Sequence, residues 1–167
     1  MTCVHLTGMS GTGKSTVIAR LAELGYAAVD LDAPAWSIYD ETGDLIWREE
    51  RVRRLLDENE RDPLFVSGCA TNQVKFRDRF DYIILLSAPA EVLVERLRTR
   101  TSNDYGKHSD ELADVLGYLE TVEPLLRRAA SREIDTRAPL EDVVSEVLDA
   151  AGCLPPGSTP ARDASSA

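Results

Sequence analysis

Residues 8–15 read Gly8-Met9-Ser10-Gly11-Thr12-Gly13-Lys14-Ser15, which fits Gly-x-x-x-x-Gly-Lys-Ser at every fixed position. Gly8, Gly11 and Gly13 allow backbone conformations closed to residues with a Cβ. Successive N–H groups then turn inward and form a nest for an anion. Lys14 adds a point charge for the β- and γ-phosphates, and the Ser15 hydroxyl is the expected Mg²⁺ ligand. The flanks agree. Cys3 to Thr7 is a short β-prone run, and Ser15 to Leu21 has helical spacing, so a helix N-terminus faces the phosphates. Residues Gly8 to Ser15, with Thr16 beside them, are therefore expected to bind ATP with Mg²⁺.

Working outward, strands and helices alternate. Gly25 ends the first helix, and Tyr26 to Asp30 reads as the second strand. Trp36 to Tyr39 and Leu45 to Trp47 flank the turn-like Glu41-Thr42-Gly43-Asp44, which fits a small hairpin. Arg48 to Glu60 reads as helix. Leu64-Phe65-Val66 reads as a third strand, Asn72 to Phe80 as a short helix, and Tyr82 to Leu86 as a central parallel strand, apolar throughout. Pro89 opens the next helix. Thr101 to His108 is polar and loop-like. Ser109 is expected to cap a longer helix with Leu112, Leu116 and Leu119 as its buried stripe, and Pro124 to kink or restart it. Arg132 to Thr136 is a weaker fifth strand, Leu140 to Leu148 a last helix, and residues 152–167 a Pro-, Gly- and Ser-rich tail expected to be disordered. This order implies an α/β three-layer fold, a five-stranded parallel sheet with helices on both faces, in one domain over residues 1–151. Ligands in such sheets bind beyond the carboxyl ends of the strands.

Composition narrows the partners. A chain of 167 residues with 43% hydrophobic content suits one soluble domain. The formal net charge of −10 argues against nucleic acid as a partner, because counterion release requires clustered Lys and Arg. Cys3, Cys69 and Cys153 are widely spaced, without metal-ligand pairing, and read as reduced thiols in a cytoplasmic protein. No signal peptide or membrane-spanning run is read. The expected partner is a small-molecule phosphoryl acceptor, with the protein a monomer or dimer.

The phosphate loop, Asp30 and Asp32 after the second strand, and the polar segment near residue 100 resemble the small P-loop kinases. These include shikimate kinase, gluconate kinase and the adenylate-kinase-like enzymes. Val29-Asp30-Leu31-Asp32 is similar to the Asp-x-Asp of shikimate kinase, and Gly43-Asp44-Leu45-Ile46-Trp47-Arg48 to its Gly-Glu-x-x-Phe-Arg. The resemblance implies that Arg48 binds a substrate carboxylate. It also implies a lid over about residues 100–109 and an acceptor-binding region over about 33–60. Two patches depart. Ser67-Gly68-Cys69-Ala70 replaces a glycine triplet, and Asn103-Asp104-Tyr105-Gly106-Lys107 replaces an Arg followed by Pro-Leu-Leu.

Phosphoryl transfer needs a metal to neutralise charge and a group to orient the attacking hydroxyl. Ser67 and Ser87 end the third and fourth strands where a carboxylate could stand, so Asp30 is assigned to the metal's water shell and Asp32 to the acceptor hydroxyl. Gly68 and Cys69 are expected to line the acceptor pocket. His5, on an apolar strand, is read as a satisfied core residue. In the fold that the resemblance implies, Arg96 and Arg100 contact the transferring phosphate, with Asn103 and Lys107 in the lid, and the loop at Arg137 touches adenine. The leading expectation is ATP-dependent phosphorylation of a small hydroxylated metabolite, with a carboxylated acceptor included. A nucleoside or nucleotide kinase stays open, and so does a nucleotide-binding regulatory module, although no Asn-Lys-x-Asp guanine motif is present.

Overall fold

A computed structural model describes residues 1–101 and 108–153. Five parallel strands form the sheet: β1 (Cys3–Thr7), β2 (Ala27–Asp30), β5 (Leu64–Ser67), β6 (Tyr82–Ser87) and β7 (Arg132–Asp135), in the order β2-β5-β1-β6-β7. A separate antiparallel hairpin joins β3 (Ser37–Tyr39) to β4 (Leu45–Trp47). The helices are α1 (Lys14–Glu23), α2 (Glu49–Glu58), α3 (Ala90–Thr99), α4 (Ser109–Thr121), α5 (Glu123–Ala129) and α6 (Leu140–Ala150), with a 3₁₀ helix at Gln73–Arg79.

The alternation of side chains along each strand sorts the core into two sides. Val4, Leu6, Phe65, Ile84 and Leu86 face one side, where Val17, Ile18 and Leu21 of α1 and Val143, Val144 and Val147 of α6 cover them. Cys3, Leu64 and Val66 face the other, under Trp47, Val52 and Leu56 of the hairpin and α2 and Phe76 of the 3₁₀ helix. Leu85 faces that way too, packed with Met9, Leu93 and Leu126. Full burial on both faces explains why β6 reads as a continuous apolar run rather than an alternating one.

Two local expectations need correction. Ser109 is the first residue of α4, not its cap; His108 takes the cap position, and no side chain bonds there. The buried residue of α4 is Val115, while Leu116 is 38% exposed. The helix restarts at α5 with Pro124 in its first turn, and Leu126 of α5 enters the core in place of the expected stripe. The expected tail beyond Cys153 and the lid residues Asn103, Gly106 and Lys107 lie outside the described residues. Among the described residues no helix is long and apolar enough to cross a membrane.

Candidate active site

The phosphate loop runs from the end of β1 to the start of α1. Gly8, Gly11 and Gly13 all take positive φ, at 151°, 85° and 92°. At Gly8 a Cβ would collide with the backbone carbonyl oxygen of Leu86 and lie 2.9 Å from Thr12 Oγ1. The first glycine is thus required by the neighbouring strand. Gly13 caps α1 in the left-handed conformation, and no side chain bonds to the helix start. The first N–H groups of a helix have no intrahelical partner, so this end suits an anion. Lys14 Nζ donates to the carbonyl oxygens of Gly8 (2.7 Å) and Met9 (3.3 Å), which holds its charge over the loop.

Asp30, at the end of β2, accepts from Ser15 Oγ at 2.6 Å and from Ser67 Oγ at 3.2 Å. The carboxylate therefore stands between the phosphate loop and the end of β5. Ser67 occupies the strand end where the sequence places no carboxylate, and it supports Asp30 instead. Oxygen donors at Ser15 and Asp30 suit Mg²⁺, which keeps several waters and takes one or two carboxylates together with substrate phosphates. Among the described residues no cluster of three or more His, Cys, Asp or Glu forms a protein-only metal cage.

Asp32 lies deeper and is more constrained. Both of its carboxylate oxygens accept from the Cys69 N–H at 3.0 Å, and Oδ1 also accepts from Trp47 Nε1 at 3.2 Å. Burial raises the Asp32 carboxyl above its usual range, against the charge of Lys14 and these hydrogen bonds, which pull it down. Gly68 makes the arrangement possible. Its φ is +152°, and a Cβ there would lie 2.6 Å from Asp32 Oδ1 and 2.9 Å from Trp47 Cζ2. Gly68→Ala is expected to cost about 1–3 kcal/mol in backbone strain and to displace Asp32. A urea melt reads the first effect. Acceptor turnover falling while ATP affinity holds reads the second, and an unchanged melt and turnover would contradict both.

Beneath this pair, His5 is 3% exposed, and its Nε2 lies 3.0 Å from the Gly68 carbonyl oxygen, to which it donates. It packs against Phe80 and edge-on to Trp47. The core reading of His5 fits this placement. Burial pushes its imidazole down to about 4 from an ordinary 6.5. Between those values the unfolded chain binds a proton that the folded chain refuses, so stability is lost as pH falls. The loss attributable to His5 is expected to reach about 2–3 kcal/mol near pH 4.5. Comparing urea melts of wild type and His5→Gln at neutral and acid pH tests this. A difference independent of pH would contradict it.

Asp32 opens onto one large cleft of about 1050 Å³ that also takes in the phosphate loop, and Asp30 is bonded to Ser15 of that lining. Arg96 and Arg100, on and just after α3, line it. Arg96 donates to the Gly11 carbonyl oxygen (3.2 Å) and to Thr136 Oγ1 (2.9 Å) and O (2.5 Å), so it ties the phosphate loop to the end of β7. Cys69 lines the acceptor end, and burial keeps its thiol pushed up, as expected of an unreactive group.

Two expected contacts fall outside the lining. Arg48 caps α2, is exposed, and does not line the cleft. The reason is strand alternation: Trp47 at the end of β4 turns its indole inward to Asp32, so the next residue faces away. Arg137 is exposed and bound to Asp135 at 2.6 Å, while its neighbours Thr136 and Ala138 line the cleft. Gln73, Thr71 and Leu45 were missed from the sequence but line the acceptor end. The Thr7 hydroxyl fixes the Gln73 carboxamide at 3.4 Å.

Comparison with known proteins agrees with this architecture. A family model described as an AAA domain matches residues 4–117. The shikimate kinase of Nitrobacter winogradskyi is 29% identical over 157 residues, covering 86% of this chain and 73% of that protein. The putative adenylate kinase of Archaeoglobus fulgidus is 29% identical, covering 95% of this chain and 85% of that protein. A nucleotide-binding protein of Fervidobacterium nodosum is also 29% identical, but the chain spans only 47% of its length. The fold matches that of shikimate kinase from Acinetobacter baumannii in complex with shikimate. The TM-score is 0.63 at 22% identity, over 89% of this chain and 92% of that one. It also matches a gluconokinase from Sinorhizobium meliloti, with a TM-score of 0.56 at 20% identity, over 90% and 91% of the two chains. The loop, the parallel sheet and the family match together make this chain a member of the AAA-domain family of P-loop proteins, with the fold of the small P-loop kinases.

Proposed function

We propose that the protein transfers the γ-phosphoryl group of ATP to a hydroxyl of a small molecule. The observation that carries this is the pair Asp30 and Asp32, each held by different partners: Asp32 lines one cleft with the phosphate loop, and Asp30 is bonded to Ser15 of that loop. Asp30 shares the Ser15 hydroxyl, on the phosphate side. Asp32 sits in the Trp47–Gly68–Cys69 frame, away from it. Two carboxylates in different surroundings suit two tasks.

In this reading the backbone from Gly8 to Thr16, with Ser10 and Thr12, binds the phosphates, and Lys14, Arg96 and Arg100 bear on the charge of the transferring group. Ser15 and Asp30 hold Mg²⁺, which neutralises charge on the phosphates. Asp32 orients the acceptor hydroxyl and accepts its hydrogen. The names of the shikimate kinase and gluconokinase relatives support a small-molecule acceptor. The putative adenylate kinase keeps a nucleotide acceptor as the second reading.

The direct test is ATP consumption by the full chain against sugar acids, shikimate-like acids, nucleosides and uncharged alcohols. Turnover that depends on an acceptor supports the kinase reading, and an ATP-binding protein that phosphorylates none of them contradicts it. Asp30→Asn is expected to shift the Mg²⁺ dependence of turnover to higher concentration by about tenfold, the usual effect of disturbing a metal's supporting shell. Superimposable Mg²⁺ titrations of the variant and wild type would remove the metal role.

A further inference from the structure

The acceptor end of the cleft shows more apolar surface than a small, wholly polar metabolite needs. Tyr39 is 71% exposed, Leu125 59% and Tyr118 44%, and all three line the cleft. Large apolar side chains left open to water around a cleft mark a binding surface. They come from different elements: Tyr39 from the β3–β4 hairpin, Tyr118 from α4 and Leu125 from α5. The apolar lining continues inward. Val122 and Leu126 pack in one cluster with Cys69, whose N–H holds Asp32. The apolar walls therefore lead down to the carboxylate assigned to the acceptor hydroxyl.

Charge points the same way. Among the described residues the cations lining the cleft are Lys14, Arg96 and Arg100. Lys14 and Arg96 are bonded to the phosphate loop. Three cations on neighbouring helices are engaged with other partners. Arg127 of α5 is bound at 2.7 Å to both Glu123 and Glu133. Arg51 donates to the Ala35 carbonyl oxygen and lies over Trp36. Lys75 is paired with Glu49. Asp32 and Asp44 meanwhile both line the cleft. An anionic acceptor would bring its charge out of water beside two carboxylates, while the described cations of the lining are the three that the kinase reading gives to the transferring phosphate.

We infer that the acceptor is an alcohol with an apolar body and no negative charge, neutral or amine-bearing. Its ring or alkyl face lies against Tyr39, Tyr118 and Leu125 while its hydroxyl reaches Asp32. The inference rests on the kinase reading above. In the reaction the acceptor oxygen bonds to the γ-phosphorus, the bond from that phosphorus to the bridging oxygen breaks, ADP leaves, and the hydroxyl proton passes to Asp32.

The test is ATP-dependent phosphorylation by the full chain of phenylethylene glycol, phenylalaninol, phenyllactate, glycerol and gluconate. The expected kcat/KM is at least about tenfold higher for the first two than for phenyllactate, which shares their ring, and than for glycerol, which lacks it. Leu125→Asp, at an exposed position, is expected to raise the KM for the aryl alcohols about tenfold with ATP affinity unchanged. Preference for phenyllactate or gluconate overturns the inference and leaves the kinase reading standing. An aryl-alcohol KM unaffected by Leu125→Asp also overturns it. Transfer to no alcohol at all, with ATP still bound, defeats the kinase reading and this inference with it.

Discussion

Lys14→Ala is expected to lower phosphoryl transfer by about a hundred- to a thousandfold, equivalent to about 3–4 kcal/mol of lost stabilisation of the transferring group. The structure shows why the loss should be catalytic rather than structural. Lys14 opens α1, where alanine is at least as good a helix former, and its ammonium lies on the Gly8 and Met9 carbonyl oxygens instead of in the core. Those carbonyls sit at the cleft surface, so removing the ammonium leaves them to water. The melting midpoint should therefore move little, while turnover collapses. ATP affinity should weaken as well, because a point charge on the phosphates is lost in the ground state too. The measurements are turnover at saturating ATP, ATP binding by calorimetry, and a thermal melt. A folded variant with near-wild-type turnover would remove the phosphate loop from the chemistry.

The parts of the site that were legible in the sequence are those fixed by local geometry. The phosphate loop needs glycines at set positions, and the strand before it and the helix after it follow from period alone. The hairpin was readable because Glu41 to Asp44 separates two short β-prone runs. What escaped depends on partners far along the chain. The frame around Asp32 is built from Trp47, Gly68 and Cys69, which meet it only through the pairing of β2 with β5 and the seating of the hairpin. Arg48 is the reverse case. A local pattern matched, but the inward turn of Trp47 leaves the arginine outside the cleft lining. The stripe expected on α4 assumed that the helix lies along the core throughout. The restart at Pro124 instead gives that contact to Leu126, and the open side chains Tyr118 and Leu125 are left facing the cleft.

Asp32→Asn is expected to lower kcat by about a hundredfold or more, within the range that a positioned acid or base supplies. ATP affinity should stay near wild type, because the carboxylate's partners are Cys69 and Trp47 rather than the phosphate loop. The asparagine is nearly the same size, and its carbonyl oxygen can keep the Cys69 N–H bond, so the frame survives. What it cannot do is accept the acceptor's proton as a carboxylate does. The pH profile separates this role from a merely structural one. Burial raises the Asp32 carboxyl above its ordinary 3.8. The working form is the ionised one, so the rate falls as pH drops through the raised value. The acid limb of kcat should therefore lie at higher pH than an unperturbed aspartate would give. The residual rate of Asp32→Asn should lack that limb. Lys14 pulls the same carboxyl downward, so Lys14→Ala should move the limb of its residual activity to still higher pH. If Asp32→Asn keeps the wild-type acid limb, or loses ATP affinity as steeply as kcat, the carboxylate does not act on the acceptor hydroxyl.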